Sequence, residues 1–188
     1  MKNLALKRIQ RMKPYNPPIE GRQKYAFLDR DGTLIFEPQD TYQIDSLEKL
    51  KILNGVIRGL KELKRKGYKF IMISNQDGLG TKSFPQKDFE IPQEKMLSFF
   101  RKADIIFDHI FICPHSPKDK CNCRKPKTGL VDKFLEDNSI DKNLSFVCGD
   151  RESDRQFAIN IGVKYLPMQT NGNFYKAIKL LPTILSRG

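Results

Sequence analysis

Apolar residues in this chain gather into short runs of strand length, separated by amphipathic stretches. "YAFLD" (25–29), "YKFIMISN" (68–75), "HIFIC" (109–113), "LSFVCGD" (144–150) and "VKYL" (163–166) are nearly continuous apolar segments, the pattern of strands buried on both faces of a parallel sheet. Between them the period changes to that of a helix. Val56, Ile57, Leu60 and Leu63 share one face of a helix over 56–66 that stops at Gly67. Met96, Leu97 and Phe100 mark a second over 93–101, and Val131, Phe134 and Leu135 a third over 130–136. Ser153 can cap a fourth that runs to Ile161, before Gly162. This alternation predicts an α/β protein: three layers, α/β/α, Rossmann-like, around a central parallel sheet with right-handed crossovers. Sites in such sheets lie at the carboxyl ends of the strands, and here those ends carry Asp29, Ser74 and Asp150.

A length of 188 residues suits one domain, which buries roughly 70% of its unfolded surface at this size. No apolar run approaches the roughly 20 residues of a membrane span, so no membrane partner is expected. The net charge of +12 raises the question of nucleic acid, but its distribution argues against it. Residues 1–24 hold Lys2, Lys7, Arg8, Arg11, Lys13, Arg22 and Lys24 against Glu20 alone, and also Pro14, Pro17 and Pro18. They read as a basic N-terminal arm outside a folded body spanning 25–188. The body offers no stacking platform, because Phe99, Phe100 and Phe107 fall in core-like patterns. The arm has neither the apolar stretch of a secretory peptide nor the serines of a transit peptide. With three of the four cysteines at metal-ligand spacing, this predicts reduced thiols and a cytoplasmic protein.

"FLDRDGTLI" (27–35) sets two carboxylates two residues apart at the end of an apolar strand, followed by Gly32. A calcium loop is excluded, because an EF-hand places its glycine sixth and here it is fourth. "CPHSPKDKCNCRKPK" (113–127) holds Cys113, His115, Cys121 and Cys123 and then Arg124 and Lys125. In an extended segment residues i and i+2 face the same way, so each pair can grip one ion. Three thiolates and an imidazole form the ligand set of a closed structural Zn²⁺ site. Such a knot over 113–125 would anchor Arg124 and Lys125, the cations that follow it. Cys148, inside an apolar strand, reads as core.

Taken together, D-x-D-G-T after the first strand, Ser74 at the end of the second, the basic Lys125–Pro126 pair and Gly149–Asp150 after the fourth resemble the haloacid dehalogenase (HAD) superfamily of phosphohydrolases. The resemblance spans 25–154, with no large cap domain expected. More narrowly, "SNQDGLGTKSFPQKDFE" (74–90) and the cysteine stretch resemble the histidinol-phosphate phosphatases of histidine biosynthesis, with the zinc-binding heptose bisphosphate phosphatases as relatives. The basic arm has no counterpart in the resemblance, and the dehydratase domain fused to some relatives is not expected here.

The resemblance implies a Mg²⁺-dependent phosphomonoesterase. In it Asp29 is the nucleophile and Asp31 the general acid and base. Mg²⁺ is held by the Asp29 and Asp150 carboxylates and the Asp31 main-chain carbonyl, with Asp154 behind them. Ser74, Asn75 and Arg124 bind substrate, and Lys125 supplies fixed positive charge. The expected partner is a small phosphate ester, histidinol phosphate first, a heptose bisphosphate or other sugar phosphate second. A nucleic-acid-binding protein or DNA 3′-phosphatase is the remaining alternative. Glu37 is the candidate partner for a substrate ammonium on a rim made acidic by Glu37, Asp40 and Asp77, and Phe36, Tyr42 and Phe84 are candidate pocket walls.

Overall fold

The computed structural model describes residues 21–186. Most of the basic arm, residues 1–20, lies outside the described residues. Its last part does not stand apart from the body: Gln23 N donates to Ser139 O at 2.9 Å, and Lys69 N donates to Lys24 O at 3.1 Å.

Five parallel strands, β1 (Tyr25–Leu28), β2 (Lys69–Asn75), β3 (His109–Cys113), β4 (Phe146–Gly149) and β5 (Lys164–Pro167), pair in the order β3-β2-β1-β4-β5. Alternation along each strand sends its side chains to two cores, as a strand's period of two requires. Ala26, Leu28, Phe70, Met72, Phe146 and Cys148 join one core, whereas Tyr25, Phe27, Ile71, Ile73 and Val147 join the other. The first is covered by α1 (Val56–Arg65), α2 (Gln86–Lys102), α5 (Phe174–Ile178) and α6 (Leu181–Leu185), the second by α3 (Asp132–Asp137) and α4 (Glu152–Ile161). Burying one such apolar side chain contributes about 1.5–3 kcal/mol. Among the described residues no cap domain is inserted, and no helix is long and apolar enough to cross a membrane.

Three details depart from expectation. β3 is an edge strand with His109 and Ile110 exposed, so it is not buried on both faces. α2 begins seven residues before Gln93 and passes through Pro92; Phe89, in its first turn, is buried with the Arg30 guanidinium 4.9 Å from its ring. Finally, α4 is capped by Asp154 rather than Ser153: the Asp154 carboxylate accepts from Arg151 N at 3.1 Å, a charge well placed against the helix dipole.

The strand order reverses direction beside β1, so the carboxyl ends of β1 and β4 open onto one crevice, where doubly wound sheets bind ligands.

Candidate active site

Asp29 follows β1 and Asp150 follows β4, and their neighbours fix them there. Asp29 N donates to Cys148 O at 3.0 Å across the sheet. Gly32, at φ 74°, turns the chain sharply away, and a Cβ on it would lie 2.5 Å from Asp150 Oδ2, so only glycine lets the two loops approach. Gly149 does the same for Asp154, whose Cγ would meet a Cβ at 2.3 Å. As a result Asp29, Asp150 and Asp154 bring carboxylate oxygens within 4.8 Å of one another.

One cation answers them. Buried Lys125 donates from Nζ to Asp29 Oδ1 at 2.6 Å, to Asp154 Oδ1 at 2.6 Å and to Ile73 O at 2.9 Å. Burial alone would lower its pKa, but Asp154 and Asp29 more than reverse that, so it stays charged. Asp29 is pushed up by burial, pulled down by Lys125 and pushed up again by Asp154 and Asp150, with a net rise to about 8. Burial likewise raises Asp150, against the hydrogen bond from Thr170. Three carboxylates facing one ammonium leave the cluster short of positive charge. Both oxygens of Asp154 are engaged, by Lys125 and by Arg151 N, whereas Asp150 Oδ1 is buried without a partner. An unpartnered buried oxygen beside a second carboxylate is a fit for a hard divalent cation.

Asp31 stands apart from that cluster. Its carboxylate accepts from Arg30 Nη1 at 2.8 and 3.1 Å and from Gln76 Nε2 at 2.5 Å. It still lines the crevice, together with Asp29, Ser74, Asn75, Lys125, Arg151, Ser153 and Asp154.

The cysteine stretch forms a second group. Cys113 ends β3, a 3₁₀ turn over Pro117–Asp119 reverses the chain, and Cys121 and Cys123 return beneath it. Sulfur separations are 3.7 Å for Cys113–Cys121, 3.3 Å for Cys113–Cys123 and 3.2 Å for Cys121–Cys123, with His115 Nδ1 at 3.1 Å from Cys123. Thiolates 2.3 Å from one tetrahedral ion would stand about 3.8 Å apart, so the group is nearly closed around a metal-sized space. Although burial opposes it, hydrogen bonds from the Cys123 side chain and the Arg124 and Cys123 amides bring the Cys121 thiol down to about 7, toward the thiolate that a metal needs. From this loop Lys125 is passed directly to the crevice, and Asn75 fastens it there: Lys125 N donates to Asn75 Oδ1 at 3.0 Å and Asn75 Nδ2 donates to Lys125 O at 3.2 Å.

Five sequence expectations change here. Asn75 has its side-chain amide committed to the Lys125 backbone, so it positions that lysine instead of offering its amide to a substrate. Arg124 does not line the crevice; its guanidinium pairs with Asp77 and donates to His115 O at 2.9 Å, bracing the cysteine loop. Glu37 is no free anion for an ammonium, because it is buried against the Arg151 guanidinium. With Glu37 and Asp77 both neutralised, the acidic rim reduces to exposed Asp40 and cannot rank substrates. Among the expected pocket walls, Phe84 is fully buried against Phe89.

Residues that the sequence reading missed are Arg30, Gln76, Arg151 and Thr170. Arg151 follows a motif aspartate directly and Arg30 sits between two of them, beside its partner Asp31; Gln76 and Thr170 become visible only when Asp31 and Asp150, from distant segments, are in place.

The sequence signature of the polynucleotide kinase 3 phosphatase family matches residues 24–170. The chain belongs to this family of HAD-type phosphatases. Its curated relatives include the histidine biosynthesis bifunctional protein HisB of Legionella pneumophila (strain Lens), 51% identical over 146 residues, 78% of this chain and 41% of that protein. HisB of Campylobacter jejuni subsp. doylei is 53% identical over 144 residues, 77% of this chain and 41% of that protein. This family member thus spans about two fifths of the length of those relatives. Among solved structures, D,D-heptose 1,7-bisphosphate phosphatase from B. bronchiseptica, complexed with magnesium and phosphate, superposes with a TM-score of 0.71 at 27% identity, over 84% of this chain and 86% of that one.

Proposed function

We propose that this phosphatase hydrolyses small phosphomonoesters with Mg²⁺ through an aspartyl-phosphate, and that its substrate is L-histidinol phosphate, released as L-histidinol and phosphate. The observation that carries the chemistry is the buried, charge-deficient cluster: Asp29 and Asp150 with the unpartnered Asp150 Oδ1, and Lys125 2.6 Å from the nucleophile. Mg²⁺ would be held by Asp29, Asp150 and the Asp31 carbonyl, supplying the charge that lets a dianionic ester approach a carboxylate. Zn²⁺ would be held by Cys113, His115, Cys121 and Cys123 as a structural ion.

In the first half-reaction Asp29 attacks phosphorus while Asp31 gives a proton to the departing alcohol oxygen. The Ser74 hydroxyl and the ammonium of Lys125 balance the phosphoryl oxygens. In the second, Asp31 takes a proton from the water that opens the acyl phosphate, and Asp29 is regenerated. Asp154 keeps Lys125 charged and aimed at Asp29 throughout.

The substrate rests on similarity to proteins named HisB at about half identity, not on the rim. A heptose bisphosphate is the second reading, favoured by the solved neighbour at 27% identity. Because all four cysteines are free thiols, a reducing cytoplasm suits the chain. A side-by-side phosphate-release assay tests the assignment. Histidinol phosphate should exceed heptose bisphosphate and 3′-phosphorylated DNA in kcat/KM by about tenfold or more, and the reverse ranking would overturn the substrate.

A further inference from the structure

Gln76 is buried, 4% exposed, and its side-chain amide touches two reacting groups at once. Nε2 lies 2.5 Å from Asp31 Oδ2 and 2.7 Å from Ser74 Oγ. The amide nitrogen is the donor to both groups, and its two hydrogens serve one partner each. Ser74 Oγ is therefore an acceptor from Gln76, and its own hydrogen is left to point elsewhere, into the crevice that Ser74 lines. On the other side, Asp31 has both oxygens occupied by donors, Oδ1 by Arg30 and Oδ2 by Arg30 and Gln76. The main chain that carries it is tied to the end of β3, because Gln76 N donates to Cys113 O at 2.7 Å.

We propose that Gln76 is a positioning residue that sets hydrogen-bond direction at both ends of the reaction. It turns the Ser74 hydroxyl into a donor for a phosphoryl oxygen, and it holds the Asp31 carboxyl at the crevice wall for proton exchange with the leaving group. This rests on the phosphatase reading given above. Its value as an inference is that the two roles separate kinetically. A weakened phosphoryl donor slows every ester alike. A misplaced Asp31 slows only esters whose alkoxide leaving group needs a proton, and spares p-nitrophenyl phosphate, whose leaving group departs as an anion at neutral pH.

The test compares kcat/KM of the Mg²⁺-loaded wild type and Gln76→Met for histidinol phosphate and p-nitrophenyl phosphate, since that parameter reports steps up to phosphoryl transfer. Gln76→Met should lose about a hundredfold or more on the alkyl ester and about tenfold on the aryl ester. Should the methionine variant fail to fold by circular dichroism, Gln76→Glu, nearly the same shape with an acceptor in place of the donor, carries the same expectation. Equal losses on both substrates, or no loss, would overturn the proposal. A wild type that hydrolyses neither ester would instead overturn the phosphatase reading itself.

Discussion

The two ligand clusters lie along the same carboxyl edge of the sheet, with β2 between them, and are built on opposite principles. The carboxylates come from two distant points in the chain, Asp29 and the pair Asp150 and Asp154, are buried or half-buried, and repel one another around Lys125. The thiols and imidazole come from eleven consecutive positions, 113–123, on an edge strand and a loop, where Cys121, His115 and Cys123 reach solvent. Burying like charges disfavours the folded state, so the first cluster is maintained at a cost in stability for the sake of chemistry. Closing a loop with a metal favours it, so the second is a support. They meet in Lys125, which leaves the loop of one and enters the other. The difference teaches that substitutions in the two clusters should separate activity from stability in opposite ways.

The sharpest way to break that contrast is Asp29→Asn. Removing the nucleophile while keeping the Lys125 contact should lower phosphate release by about a thousandfold or more and, above the pH of about 8 at which Asp29 ionises, leave the metal-free chain at least as stable, because one repelling charge is gone. A melting temperature well below wild type would contradict the claim that this charge is held at a cost.

Lys125→Met comes next. It strips Asp29 and Asp154 of their shared cation, so activity should fall about a hundredfold. Unfolding in denaturant should show a loss of about 3 kcal/mol, the scale for breaking a buried pair. Unchanged stability would mean that the carboxylates find another partner.

For the thiol cluster, Cys121→Ser should reduce bound zinc from about one equivalent by elemental analysis, lower the melting temperature by several degrees and cost about tenfold in activity, the last only through a loosened Lys125. Full activity in a chain without zinc would detach the two clusters from each other.

The smallest effect is a pH slope. Asp29 is raised to about 8 by burial, with Lys125 opposing. Between the ordinary carboxylate pKa of about 3.9 and that value, the folded metal-free chain keeps a proton that the unfolded chain has released. Its stability should therefore fall as pH rises through this window. Asp29→Asn should flatten the slope, and identical slopes in both proteins would remove Asp29 as its source.

The sequence was legible where function is local and where strands are fully buried. Cys113, His115, Cys121 and Cys123 announce themselves by spacing alone, and the apolar runs locate all five strands to within two residues or so. Asp29, Asp31 and Asp150 could be read because they end such runs. What stayed hidden depends on tertiary partners. Glu37 looks like a free acid until Arg151 is seen against it, and Asn75 like a substrate ligand until the Lys125 backbone fills its amide. The short helices α5 and α6 were missed because five residues carry too little periodicity to register.

The central claim is that the buried carboxylate cluster performs covalent chemistry at Asp29. Acid quenching during turnover of histidinol phosphate, followed by peptide mapping, measures this most directly. A phosphoryl group should be trapped on the peptide containing Asp29, in an amount that rises with Mg²⁺ and vanishes in Asp29→Asn. Phosphate trapped on another residue, or rapid turnover with no covalent phosphoenzyme under any quench, would contradict the account.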